Sequence, residues 1–400
     1  QVTGRKAMAW LAALVFLTNP NVLYVHTVAL TEPVMFACIA AAMYFLVRWT
    51  YTGTGQSLVA AGVACGLGVL SRYENWAFAV IAIVLVTLTA YFLSLDGAHS
   101  EGVAIAFAAP AVYAMGLWLF YNWLIFGDPL SFQHNQYSAQ AFATVGAAPT
   151  KGLLALSFKT FGWAAIDTLG WPALSLALAG LLVYFLRTRL RASSLIPYAF
   201  VALFFVGVGL LFLGQTIVIT PQSDPPSIYN LRYAMVIMPG VAFFIAYLGS
   251  SLARLLPAGA VLIVLGLALA SQFSAYVPNW PHGVIAVEEG LRGIGSQPAS
   301  VEVASFMRIN YDGGGILVDE SSSIFMTRAG LPLKEYVGTF SGQLFNDALR
   351  NPEQAVRWVV FPTDTSRDRI GAVLAPSQQF HSRFRLLKSI DGVEIYQRND

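Results

Sequence analysis

Eight apolar runs dominate this chain, near residues 7–23, 33–49, 74–93, 103–126, 169–187, 194–214, 233–251 and 256–276, and a shorter ninth covers 57–71. Crossing roughly 30 Å of hydrocarbon takes about 17 to 25 residues of helix. A bilayer offers no water to satisfy backbone polar groups, so such runs must close their hydrogen bonds within helices. The expected fold is therefore mainly α, a polytopic transmembrane helix bundle of about nine spans. Composition agrees: 56% of residues are hydrophobic and 11% charged, against roughly 25% charge in soluble domains. The charge is uneven, because residues 1–277 hold 11 Lys/Arg and 7 Asp/Glu whereas residues 278–400 hold 12 and 14. This predicts a membrane core over 1–277 and a small α/β domain over 278–400. A net charge of +2 gives no reason to expect nucleic acid. Cys38 and Cys65 lie inside apolar runs and read as small core residues.

Arg5 and Lys6 precede the first run. Placing them in the cytoplasm and alternating through nine crossings brings Arg48, the Arg187, Arg189 and Arg191 group, and Arg254 to that same side, as the excess of basic residues in cytoplasmic loops requires. The other side, read as external, then receives His26, Glu32, Arg72, Glu74, Asp128, His134, Asp224, Arg232 and the whole C-terminal domain. The expected location is a multi-pass protein of the plasma (inner) membrane with an extracytoplasmic C-terminus. Residues 151–167 mix lysines with Leu, Phe and Trp and read as a helix in the external interface. The start on "QVTGRKAMAW", with no initiator Met, reads as an N-terminally truncated fragment.

In the last third, helices are expected near 299–310, 341–350 and 366–375, and strands at "GILVD" (315–319) and "RWVVFP" (357–362). Asp391-Gly392 between "FRLLKSI" and "VEIYQR" signals a type I′ hairpin, since both residues tolerate positive φ. "DGGG" at 312–315 precedes a strand, lacks a following Lys-Ser/Thr and reads as a turn rather than a phosphate loop.

Four polar clusters interrupt the apolar runs. In "TEPV", Thr31 reads as an N-cap, Glu32 as an acid favoured by the helix dipole and Pro33 as a first-turn residue. A carboxylate beside a membrane span also points to a polar cavity. In "SRYEN" (71–75), Arg72 and Glu74 either clasp one another or face a shared cavity. In "NLRYAM" (230–235), Tyr233 suits the interface. Arg232 at a helix start opposes the dipole, which calls for an anionic partner, and its planar fork suits a phosphate. In the loop 121–140, Gly127-Asp128-Pro129 forms a turn near His134, Asn135 and Gln136. That segment offers too few ligands to indicate a metal, so no cofactor is expected.

Read together, "GRKAMAWLAALVFLTNPNVLYVHTVALTEPVMF", "GLGVLSRYENWA", "YNWLIFGDPLSF" and "NLRYAMVIMPG" resemble the membrane core of the GT-C superfamily glycosyltransferases, over about residues 4–275. That group includes protein O-mannosyltransferases and the aminoarabinose transferase of lipid A. The resemblance implies transfer of a sugar from a polyprenyl-phosphate carrier to a protein, lipid or glycan acceptor at the external face. It implies that Glu32 lines the active cavity, that Arg72 and Arg232 neutralise the lipid phosphate, and that His26, Tyr73, Glu74, His134 and Tyr233 belong to the substrate site. Glu32 and Asp128 are the candidate catalytic carboxylates. The family's general base, usually an Asp in the first external loop, has no counterpart here, in keeping with a missing N-terminal portion. A flippase of lipid-linked sugars, or a non-catalytic membrane scaffold, would place polar residues similarly.

Overall fold

The computed structural model describes residues 2–94, 96–134, 149–224, 226–273, 283–295, 299–319, 325–365 and 368–399. The chain divides into two compact units, residues 1–120 with 133–290, and residues 121–132 with 291–400.

The first unit is helical. Its helices are α1 (Lys6–Leu17), α2 (Pro20–Thr27), α3 (Glu32–Thr52), α4 (Gly55–Ser71), α5 (Glu74–Ser94), α6 (Gly97–Phe126, up to Phe120 here), α7 (Leu154–Leu169) and α8 (Trp171–Thr188). They are followed by α9 (Ala199–Phe212), a 3-10 turn Leu231–Ile237 running into α10 (Met238–Leu252), α11 (Ala258–Phe273) and α12 (Ile285–Gly295, up to Gly290 here). Each apolar run is mostly helical over its described residues, but only six helical stretches among them are long and apolar enough to span a membrane. The others fall short for visible reasons. Run one breaks at Thr18-Asn19, where α1 and α2 meet at 69°. Helix α4 has 17 residues, and α11 is described over 16, up to Phe273, where the described segment ends. Helix α7 stays outside the set of spans.

The break after α1 is written in "NPN". Asn19 N-caps α2, its Oδ1 accepting from the backbone N–H of Asn21 and Val22 at 3.0 and 3.1 Å, and Pro20 takes a first-turn position where no N–H bond is needed. Both asparagines are buried and satisfied across the bundle. Their Nδ2 groups donate to the Thr168 carbonyl of α7, Asn19 also donates to Gln272 of α11, and Asn21 Oδ1 accepts from the Ala286 N–H that opens α12. Close helix approaches use glycine. A Cβ at Gly180 of α8 would collide with the Phe244 backbone of α10. The C-terminal ends of those two helices meet where Arg187 Nη1 donates to Ser251 Oγ at 3.1 Å.

The second unit is a five-stranded sheet of order β2-β1-β3-β5-β4, built from β1 (Ile316–Val318), β2 (Tyr336–Val337), β3 (Trp358–Pro362), β4 (Phe384–Ile390) and β5 (Val393–Arg398). Strand β1 runs parallel to β2 and β3, and β5 is antiparallel to β3 and β4. Strands β1 and β3 are buried along almost their whole length because helices cover both faces, the pattern of a doubly covered parallel sheet. One face packs Ile316, Val318 and Val360 with Val303 and Met307; the other packs Leu317, Val359 and Phe361 with Phe345, Ile370 and Phe380. The expected hairpin is present, with Asp391 at φ 44 and Gly392 at φ 79.

Candidate active site

The functional residues of the first unit gather where the N-terminal ends of α3 and α5 and the turn before α10 converge. Glu32 opens α3 and is 0% exposed. Its Oε1 accepts from two guanidiniums, Arg72 Nη1 at 2.8 Å and Arg232 Nε at 3.0 Å, from positions 40 and 200 residues downstream. Thr31 occupies the N-cap position but makes no side-chain cap. Its hydroxyl instead accepts from Arg72 Nη1 at 3.3 Å. The Thr31 hydroxyl therefore serves Arg72 rather than the helix end, its oxygen accepting a guanidinium N–H.

Arg72 is held on every side. It grips Glu74 in a fork, Nη2 to Oε1 at 2.8 Å and Nε to Oε2 at 3.2 Å, so the clasp and the shared site read from "SRYEN" coexist. Burial works against its charge, and Glu74 and Glu32 overcome this, leaving it more firmly protonated than a free arginine. Arg232 is looser. Beyond Glu32, its Nη1 meets Glu289 Oε1 of α12 at 3.2 Å, and among the described residues its Nη2 has no hydrogen-bond partner. Its side chain is 27% exposed, against 13% for Arg72. Both guanidiniums lie over the Tyr233 ring, at 4.8 and 5.6 Å, a cation–π pairing that fixes their planes.

Glu289 was not legible as a site residue. Its Oε1 also accepts from the Asn230 N–H at 2.7 Å, which is available because Asn230 adopts a left-handed conformation at φ 55 just before the helix. Burial raises its pKa, partly offset by Arg232 and by backbone N–H groups of Asn230 and Leu231. Among the described residues, one oxygen each of Glu32 and Glu289 is buried without a partner. The anionic partners expected for Arg232 are thus two carboxylates of the protein itself.

The same unit holds a cavity of about 550 Å³, lined by Pro33, the residue after Glu32, but by no residue of the cluster itself. His26 and Pro33 line one end and Arg5, Val47 and Tyr247 the other, with alanines of α1, α3 and α10 between them. His26 Nδ1 lies 2.7 Å from the Val22 carbonyl and donates to it, and its ring stacks on Phe36. Tyr73 packs edge-on against Trp76 and Trp118 and is half exposed. Asp128 belongs to the second unit. There the turn read from "GDP" forms, with Asp128 Oδ1 accepting from the Leu130 N–H at 2.9 Å. His134 closes the short helix Ser131–His134; its side chain, with Asn135 and Gln136, lies outside the described residues. Among the described residues no group of three or more His, Cys, Asp or Glu could hold a metal.

Residues 1–125 match the model of the dolichyl-phosphate-mannose-protein mannosyltransferase family. No curated protein and no solved structure matches the chain. The matched segment carries Glu32, Arg72 and Glu74 and stops before Arg232 and Glu289. The match covers residues 1–125 of the 400 and shows what that part of the chain is similar to.

Proposed function

We propose that the protein transfers a sugar from a polyprenyl-phosphate donor to an acceptor hydroxyl at the external membrane face, with inversion at the anomeric carbon. The observation that supports this reading is Arg232, bonded to Glu32 with its Nη2 open among the described residues, in a helical unit that also holds an apolar cavity lined by Pro33, the next residue after Glu32. The cavity suits an isoprenoid chain. Arg232, with Nη2 open, suits the phosphate, because an N–H fork matches its oxygens. Arg72 is saturated, and its role here is to hold Glu32 and through it Arg232.

In the reaction, the acceptor oxygen bonds to the anomeric carbon as the bond from that carbon to the phosphate oxygen breaks. The phosphate leaves with the electron pair, and the arginine stabilises its charge. Glu32 Oε1 is occupied by two guanidiniums, so Glu32 serves as their anchor, while its Oε2 is the candidate acceptor of the hydroxyl proton. The C-terminal domain, residues 278–400, is placed outside the membrane by the same reading, and the Arg187–Arg191 turn in the cytoplasm.

Donor kinetics test the proposal. In full-length protein, Arg232→Ala should raise the donor KM or lower kcat/KM by at least about 30-fold, equivalent to roughly 2 kcal/mol, and Arg232→Lys should keep part of it. Unchanged kinetics in the alanine variant would remove Arg232 from the site. The broken helix α1–α2 favours a second reading, a flippase, because discontinuous helices serve transporters. Movement of the lipid-linked sugar across vesicles with no release of free polyprenyl phosphate would establish that reading instead.

A further inference from the structure

We propose that Glu289 holds the place of the carrier phosphate on Arg232 and is displaced when the phosphate arrives. This rests on the assignment of Arg232 to that phosphate. Glu289 Oε1 takes the Asn230 backbone N–H and a guanidinium N–H of Arg232, and the Leu231 N–H also favours its charge. A main-chain donor beside an arginine can hold an anion, and here that anion is a carboxylate supplied by a different helix.

The charge count shows why this occupant is replaceable. Three carboxylates, Glu32, Glu74 and Glu289, share two guanidiniums, Arg72 and Arg232. Glu74 holds a complete fork and Glu32 is bonded to both arginines, whereas Glu289 has a single arginine contact. It is the least committed of the three. A phosphate can take the same donors and add Arg232 Nη2, which Glu289 leaves unused. The exchange needs only a side-chain swing, because α12 is seated independently. Asn21 caps its Ala286 N–H at 2.9 Å, and Gly290 lies so close to the Tyr24 hydroxyl that a Cβ there would collide with it. The swing returns the carboxylate to water, and on product release it competes for Arg232 again, so Glu289 lowers affinity for donor and product alike.

The test measures binding of polyprenyl phosphate, with neutral polyprenol as the control for the apolar cavity, to full-length protein in nanodiscs. Glu289→Gln removes the competing charge while keeping the shape. It should bind polyprenyl phosphate on the order of tenfold more tightly, increase product inhibition by a similar factor and leave polyprenol affinity unchanged. Glu289→Asp, which retracts the carboxylate, should move in the same direction by less, and it serves if the Gln variant does not fold. Unchanged or weaker phosphate binding in the folded variant would overturn the proposal. Arg232→Ala separates the two layers. If it abolishes the phosphate-dependent part of binding while Glu289→Gln changes nothing, only the displacement idea fails; if it has no effect, the phosphate assignment fails with it.

Discussion

Two arginine–carboxylate clusters of similar geometry lie in different surroundings. In the helical unit, Arg72 and Arg232 meet Glu32 at 2.8 and 3.0 Å with the carboxylate fully buried. In the sheet unit, Arg357 grips Asp312 at 2.6 and 2.9 Å with the aspartate side chain 45% exposed, and Trp358 and Gln397 donate to the same carboxylate. Bond length alone would rank the second cluster first. Burial reverses the order, because removing one partner of a desolvated pair strands the other, whereas water replaces a lost partner at the surface.

The sharpest way to break this contrast is Glu32→Gln. It removes the charge that both arginines share, while Glu74 and Glu289 still pair them, and should cost about 3 kcal/mol of stability, the worth of two charge-assisted hydrogen bonds, read as a fall in the unfolding temperature of detergent-solubilised protein. A loss below about 1 kcal/mol would mean that the cluster is hydrated. Next is Asn21→Ala, which strips the Thr168 carbonyl and the Ala286 N–H of a shared partner and should cost about 1 to 3 kcal/mol. Gly290→Ala should destabilise comparably by driving α12 off Tyr24, and adding Tyr24→Phe should recover much of the loss; no recovery would deny that this contact seats the helix. The smallest effect belongs to Asp312→Asn, expected at about 0.2 to 1 kcal/mol and fading with salt. The Arg357 hydrogen bond lowers the Asp312 pKa. Its contribution is therefore present above the unfolded value of about 3.9 and is lost as pH falls through the lower folded value. A contribution that grew on acidification would contradict this pairing.

Much of this architecture was legible in the sequence, and the failures have physical causes. The apolar runs became helices because a membrane segment has one way to satisfy its backbone, and Asp391-Gly392 became a turn because few residues accept its dihedrals. The count of full-length spans was not legible, since a run shows apolarity but not the kink that "NPN" introduces. Strand β2, two residues long, carries no periodicity. In the site, Glu32, Arg72 and Arg232 each stood out locally as charges at helix ends, but their pairing did not, because Arg232 and Glu32 are 200 residues apart. Glu289 was hidden by its setting. It sits in a charged stretch that composition assigns to a soluble domain, and only the fold returns it to the helical unit.

The shape of the apolar cavity also sets what the protein could measure. On α3 its lining runs from Pro33 to Val47, a rise of about 21 Å at 1.5 Å per residue. For the proposed carrier this is a short gauge. It would register the headgroup and the first few isoprene units and leave the remaining tail to the bilayer, so carriers that differ only in overall chain length should look alike to this protein.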